Sequence, residues 1–261
     1  MMDLQLTGQK VLITGASQGI GEGLAYAFAQ EGCNLHLTAR SGDKLAEMTR
    51  ELVAQFSVKV TSTAVDMTQP GACEQIVDEA GDIDVLINNA GVIPSGTLFD
   101  IGAEKWRDGW ALKGFGYADM MRLVYPRMKQ RGGGVILNNI GNGGEICDPN
   151  YIEGAAGNAS IMAMTRALGG SSLDDNIRVV GVNPGPVDTT RIYNMLKKFA
   201  ENKLGDAGRY DELLNQYPLG RPAKVHEITD LFLFLASFRS GYTSGTVFTV
   251  DGGIASRRAV V

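Results

Sequence analysis

Gly15, Gly19 and Gly21 are spaced G-x-x-x-G-x-G and directly follow the apolar run Val11-Leu12-Ile13-Thr14. Ala16, Ser17, Gln18 and Ile20 fill the gaps, and a helical pattern starts at once. This order predicts a buried strand, a tight turn and a helix N-terminus. Glycine at 15 and 19 lets backbone approach a ligand, and Gly21 lets the helix pack closely on a sheet. The unpaired N–H groups and positive dipole end of that helix favour a diphosphate. The chemistry predicted is dinucleotide binding, with Gly15, Ser17, Gln18, Gly19, Ile20 and Gly21 as contacts.

The type of dinucleotide is read at the end of the second apolar run. A carboxylate about 20 residues past such a turn holds the ribose 2′-hydroxyl of NAD. Here the sequence is Thr38-Ala39-Arg40-Ser41, with no acid. Arg40 suits a 2′-phosphate and Ser41 a further hydrogen bond, which favours NADP over NAD. Asp66, followed by Met67, ends the third apolar run. It is placed either to accept from an adenine amine or to close a turn.

These residues need a scaffold, and the periodicities supply one. Apolar runs predict strands at about Leu35 to Ala39, Val58 to Val65, Ile83 to Ile87, Val135 to Ile140, Arg178 to Val182 and Thr246 to Val250. Helical spacing predicts helices at about Glu22 to Gln30, Lys44 to Phe56, from Pro70, Ala103 to Lys129, Tyr151 to Leu168 and Val225 to Ala236. Residues 188–220 are irregular and carry Tyr193, Phe199, Tyr210 and Tyr217, which suits a loop over an apolar substrate. Strands alternating with helices, without repeat or linker, predict one doubly wound α/β domain over residues 1–261, with about seven parallel strands. Ligands of such sheets lie beyond the carboxyl ends of the strands. Thr14, Asn88, Ile140 and Pro184 fall at such ends and are expected to surround one cleft.

Composition narrows the partners. The net charge is −5 with both signs interleaved, which argues against nucleic acid or an anionic membrane surface. No apolar run approaches the ~18 residues of a membrane span, and the first residues lack a signal-peptide pattern. Cys33, Cys73 and Cys147 are scattered, and His36 and His226 are isolated. Neither a disulfide framework nor a metal site is predicted, and a reducing cytoplasm is.

Over nearly its whole length the chain resembles the short-chain dehydrogenase/reductase family. The resemblance rests on Thr14-Gly15-Ala16-Ser17-Gln18-Gly19-Ile20-Gly21, Asn88-Asn89-Ala90-Gly91 and Pro184-Gly185-Pro186-Val187-Asp188-Thr189. Pro218-Leu219-Gly220-Arg221-Pro222 and Val250-Asp251-Gly252-Gly253 add to it. It implies a Rossmann-type sheet and NAD(P) binding. Asn89, Ala90 and Gly91 would lie on the adenosine side, and Pro184, Gly185, Val187 and Thr189 beside the nicotinamide. It also implies a mobile substrate loop after Thr189 and a homodimer or homotetramer.

The family's usual catalytic Asn, Ser, Tyr and Lys, the last two as Y-x-x-x-K, do not carry over. Aligned by the resemblance, those positions hold Lys113, Gly141, Gly154 and Asn158. The Asn and Lys positions are exchanged, so Lys113 is a candidate ribose anchor or proton relay, with a pKa lowered by burial if it faces the cleft. Tyr151, one turn before Gly154, is the local substitute acid, and Asn139, Asn142 and Glu145 are candidate substrate contacts. Gly154 and Gly157 cost about 1 kcal/mol each in a helix. Close packing at a subunit interface, with Met162 and Met164 on that face, would offset them.

The expected function is therefore an NAD(P)-dependent oxidoreductase with a non-standard active site, acting on an apolar alcohol, carbonyl or activated alkene. The alternatives are a cofactor-binding protein without redox turnover, such as a regulatory or inactive subunit, and a lyase or isomerase on the same fold.

Overall fold

The computed structural model describes residues 3–257. Seven parallel strands form one sheet: β1 (Lys10–Thr14), β2 (Asn34–Ala39), β3 (Val60–Ala64), β4 (Val85–Asn88), β5 (Gly134–Asn139), β6 (Ile177–Pro184) and β7 (Thr246–Val250). Their spatial order is β3-β2-β1-β4-β5-β6-β7. The order reverses between β1 and β4, which opens the crevice that such sheets use for ligands.

The inner strands β1, β2, β4, β5 and β6 are buried on both faces, so their side chains divide by alternation. Val11 and Ile13 of β1, with Val85, Ile87 and Leu137, join one apolar cluster. Leu12, Leu86 and Ile136 join the other. The first face is covered by α1 (Gly19–Gln30), α2 (Gly42–Gln55) and, near the C-terminus, a helix over Val225–Ala236, through Leu24, Phe28, Leu45, Leu52 and Phe232. The second is covered by α3 (Ala72–Ala80) and by a long helical segment that begins at α4 (Ala103–Trp110). That segment continues through a π-helical turn, Ala111–Phe115, into α5 (Gly116–Gln130). The chain then forms a short α6 (Gly143–Ile146), α7 (Ile152–Gly169), α8 (Thr190–Leu204) and the C-terminal helix, α9.

Four local expectations are corrected. Pro70 does not open α3; Gly71, in the left-handed region at φ 78°, is its N-cap. The Ala103 to Lys129 helix is interrupted by the π turn, which inserts beside Gly109, Gly114 and Gly116, residues that hold a helix weakly. Residues 188–220 are not all irregular, because α8 folds there on Ile192, Leu196 and Ala200, an apolar stripe at helical spacing. Tyr151 lies outside the helix as the N-cap of α7.

Candidate active site

All the sequence-predicted cofactor residues fall at or beyond the carboxyl ends of β1, β2, β3, β4 and β6, at one edge of the sheet. Around the first turn the glycines are there for space. A β-carbon on Gly15 (φ 67°) would stand 2.7 Å from Ala90 Cα, and one on Gly21 would strike the Gly15 carbonyl. Gly19 (φ 62°) has only the Thr189 methyl group in front of it, 3.4 Å from where its β-carbon would be. Gln18, the N-cap of α1, makes no side-chain cap, so the first N–H groups of the helix are offered to the cleft beside Ser17 and Ile20. A bare glycine and an uncapped 12-residue helix fit a diphosphate.

Buried amides lock the neighbouring strand ends in place. Asn89 Nδ2 donates to the Thr14 carbonyl at 2.9 Å, and Asn139 Nδ2 donates to Asn89 Oδ1 at 2.7 Å. The N–H groups of Asn89 and Ala90 both donate to Thr14 Oγ1. Asn88 and Asn138 bond to each other, and Asn138 also donates to Thr165 Oγ1. Asn139 and the side chain of Asn89 are thus committed inside the protein, and the backbone through Gly91 is what faces the cleft. Met67 is likewise buried in the core, with only its backbone beside Asp66. Asp66 closes a turn by accepting from the N–H and hydroxyl of Thr68, which holds its carboxyl below the ordinary range; Arg40 adds to that lowering. Arg40 and Ser41 are exposed, and Ser41 makes no capping bond on α2. At the other end, Asn142 donates to the Pro184 carbonyl through its N–H and to buried Asp251 through its side chain. A β-carbon on Gly185 would stand 2.7 Å from Asp251 Cβ. Val187 is buried, and Thr189 is the N-cap of α8. Glu145 accepts from Asn183 and Thr249, so Asn142 and Glu145 both tie the frame together.

Lys113 and Asn158 converge on the end of β5. Lys113, in the π turn, donates its ammonium to the Ile140 carbonyl, and one turn later Tyr117 donates to the Asn139 carbonyl at 2.7 Å. Gly141 follows at φ 130°, where a β-carbon would be 3.2 Å from Asn158 Nδ2. Burial and the nearby Arg191 guanidinium lower the Lys113 pKa to about 7. Asn158 is buried, and its Oδ1 has no partner among the described residues.

Tyr151 folds back over α7. A β-carbon on Gly154 would fall inside the Tyr151 ring, and one on Gly143 would be 2.9 Å from the ring and 3.3 Å from Asn158 Nδ2. The phenol therefore borders the same space as Asn158. Burial raises its pKa, and the nearby guanidinium of Arg191 acts in the opposite direction. Arg191 also reaches the Gly91 carbonyl at 3.4 Å. It lies on α8, inside a stretch read from sequence as irregular, so only a recognised helix start after Thr189 would have pointed to it.

The space before the α7 glycines is filled within the chain. Tyr151 occupies it at Gly154, and Ile93 and Trp110 lie against Gly157. Met162 is buried in the core with Tyr117 and Ile140, and Met164 packs against the same group. Contacts within the chain, from Tyr151, Ile93 and Trp110, thus already take up the room left by these two glycines. A groove of about 590 Å³ opens beside the glycine turn, lined by Gly19, Asp188, Thr189, Tyr193, Lys197 and Tyr210 among others. Its lining is more polar than an apolar substrate loop calls for.

Residues 15–255 match the family model described as enoyl-(acyl carrier protein) reductase. The chain is 32% identical over 254 residues to the oxidoreductase UcpA of Salmonella typhimurium, covering 95% of each. It is 30% identical over 255 residues to the 3-oxoacyl-[acyl-carrier-protein] reductase FabG of Thermotoga maritima, covering 96% of this chain and 99% of that one. The L-sorbose reductase of Gluconobacter frateurii, solved with NADPH and L-sorbose, superposes with a TM-score of 0.91. It is 32% identical, over 98% of this chain and 100% of the other. With the glycine turn, the pinned strand ends and this similarity in hand, the chain belongs to the short-chain dehydrogenase/reductase family of NAD(P)-dependent oxidoreductases.

Proposed function

We propose that the protein interconverts a carbonyl and its alcohol with NADP as hydride carrier, using Tyr151 in place of the tyrosine missing at 154. The observation that carries this reading is the Tyr151 ring lying in the space a side chain on Gly154 would need. A phenol thereby lies beside position 154, delivered from the N-cap of α7 instead of its first turns, which supports its use as the acid.

The residues divide the work as follows. The uncapped start of α1 holds the diphosphate, and Arg40 with Ser41 suits the 2′-phosphate that separates NADP from NAD. Asn158 Oδ1, buried and unpartnered, accepts from a ribose hydroxyl. When bound, the nicotinamide gives or takes the hydride. In the reducing direction Tyr151 donates its proton to the carbonyl oxygen, and Arg191 stabilises the phenolate left behind. In the oxidising direction the same phenolate accepts the alcohol proton. Gly141 offers no hydroxyl to the developing oxyanion, and the Lys113 ammonium, held on the adjacent residue 140, supplies the positive charge instead. The three free cysteines suit a cytoplasmic enzyme, and the exposed Phe115 (63%) on the long helical segment suits a homodimer or homotetramer.

The test is to mix the protein with NADPH or NADH, add a panel of carbonyl compounds and follow nicotinamide absorbance. Oxidation of NADPH in preference to NADH, lost in Tyr151→Phe while cofactor fluorescence still reports binding, is the expected result. Tight binding with no oxidation across the panel would make the protein a non-redox cofactor binder. Substrate loss at constant absorbance would make it a lyase or isomerase.

A further inference from the structure

The cleft beside Tyr151 carries positive charge that the protein does not neutralise. Among the described residues Lys113 donates to the Ile140 carbonyl and Arg191 to the Gly91 carbonyl, both neutral, and Arg191 lies beside the Tyr151 phenol. Among the described residues no carboxylate pairs with either cation. The nearest acids direct their hydrogen bonds elsewhere or make none: Glu145 accepts from Asn183 and Thr249, and Glu153 is buried with both oxygens unpartnered among the described residues.

The placement of Arg191 adds to the imbalance. It is the second residue of α8, a helix with no acidic residue in its first turn and no side-chain cap from Thr189. A cation there opposes the helix dipole, and the dipole adds positive potential to the same space. Arg191 is exposed and so open to an anion from solution, which would relieve its repulsion with the half-buried Lys113. The guanidinium has five donors, of which the observed hydrogen bond uses one, and its flat fork matches a carboxylate in two-point fashion.

We propose that Arg191, with Lys113 and the start of α8, forms an anion subsite, and that the substrate is an oxo acid, or its hydroxy acid, whose carboxylate pairs with Arg191 while its carbonyl faces Tyr151. This rests on the reading of Tyr151 as the proton donor. It replaces an apolar substrate by one with a charged end. An anion could also come from the cofactor, as one of its phosphates, so the test separates the two sources.

Oxo acids with the carbonyl at successive chain positions are compared with their methyl esters, using the full-length protein and NADPH. The best acid is expected to exceed its own ester by about ten- to a hundredfold in kcat/KM. In Arg191→Gln that ratio falls to about one, and the ratio cancels any general loss of activity. An ester used as well as its acid, or a ratio that survives the substitution, overturns the proposal. If no compound is reduced, titration calorimetry of the acids into protein loaded with NADP⁺ decides: binding abolished in Arg191→Gln upholds the subsite while the reaction assignment falls. No binding of any acid overturns the subsite. Arg191→Gln that weakens NADPH binding, read by nicotinamide fluorescence, but leaves acid binding intact assigns the charge to the cofactor and also overturns it.

Discussion

The aromatic ring of Tyr151 occupies the volume that a side chain on Gly154 would need. The two residues are mutually exclusive: a phenol reaches this cleft from the N-cap of α7 only because residue 154 has no side chain. The glycine cost in a helix is then offset inside the site itself.

Gly154→Ala is expected to expel the Tyr151 ring. Forcing extra carbon into a filled space costs about 1–3 kcal/mol, which urea unfolding would register. kcat should fall at least as far as in Tyr151→Phe, where loss of the proton donor is worth about 10²- to 10⁴-fold. An alanine variant with unchanged stability and activity would show that the ring is free to sit elsewhere.

Gly141→Ser, which restores the family's hydroxyl in name, should not restore its function. The backbone at φ 130° is open to glycine and strained for any side chain, and Asn158 Nδ2 already stands 3.2 Å from the new β-carbon. A loss of about 1–3 kcal/mol is expected, with no gain in kcat. A faster enzyme would sink this account of the strand end.

Lys113 should imprint a pH dependence on stability. Its folded pKa, about 7, lies below the ordinary 10.5, so between these values the unfolded chain binds the extra proton. The penalty of burying the ammonium is full below pH 7 and is relieved as pH rises toward 10. Unfolding free energies of the native chain minus those of Lys113→Met should therefore climb from pH 7 to pH 10. A flat difference would mean that the ammonium is well solvated.

Glu153 should act with the opposite sign. It is fully buried with both oxygens unpartnered among the described residues, and burial raises its pKa from 4.5 to about 7. The folded state binds the extra proton between these values, so stability falls as pH rises through that window and stays reduced above it. Glu153→Leu should be more stable than the native chain at pH 8, by about 1–3 kcal/mol, with the advantage largely gone near pH 4.5. A variant less stable at pH 8 would show that the carboxylate has a partner.

Arg40→Ala should weaken NADPH binding by about tenfold or more while leaving NADH nearly untouched, since one charge-assisted contact to phosphate is lost. Nicotinamide fluorescence titrations of both cofactors would check this. Equal weakening of both would place Arg40 elsewhere on the nucleotide.

The sequence by itself determined the sheet, its glycine turn and the cleft edge, because those depend on local signals. A strand buried on both faces writes itself into the apolar run Val11 to Ile13, and a turn where any β-carbon would come within 2.7 Å of Ala90 Cα admits only Gly15. The departures from the family's expected residues were equally legible at Lys113, Gly141, Gly154 and Asn158. What surrounds those positions was decided in three dimensions. Tyr151 bends back over α7 from outside the helix, the π turn aims Lys113 at the end of β5, and α8 carries Arg191 40 residues along the chain to the same phenol. Such contacts join residues far apart in sequence or in unusual backbone states, and no periodicity encodes them. Side-chain direction at a helix cap or a π turn is fixed by what packs around it, which only the folded chain supplies.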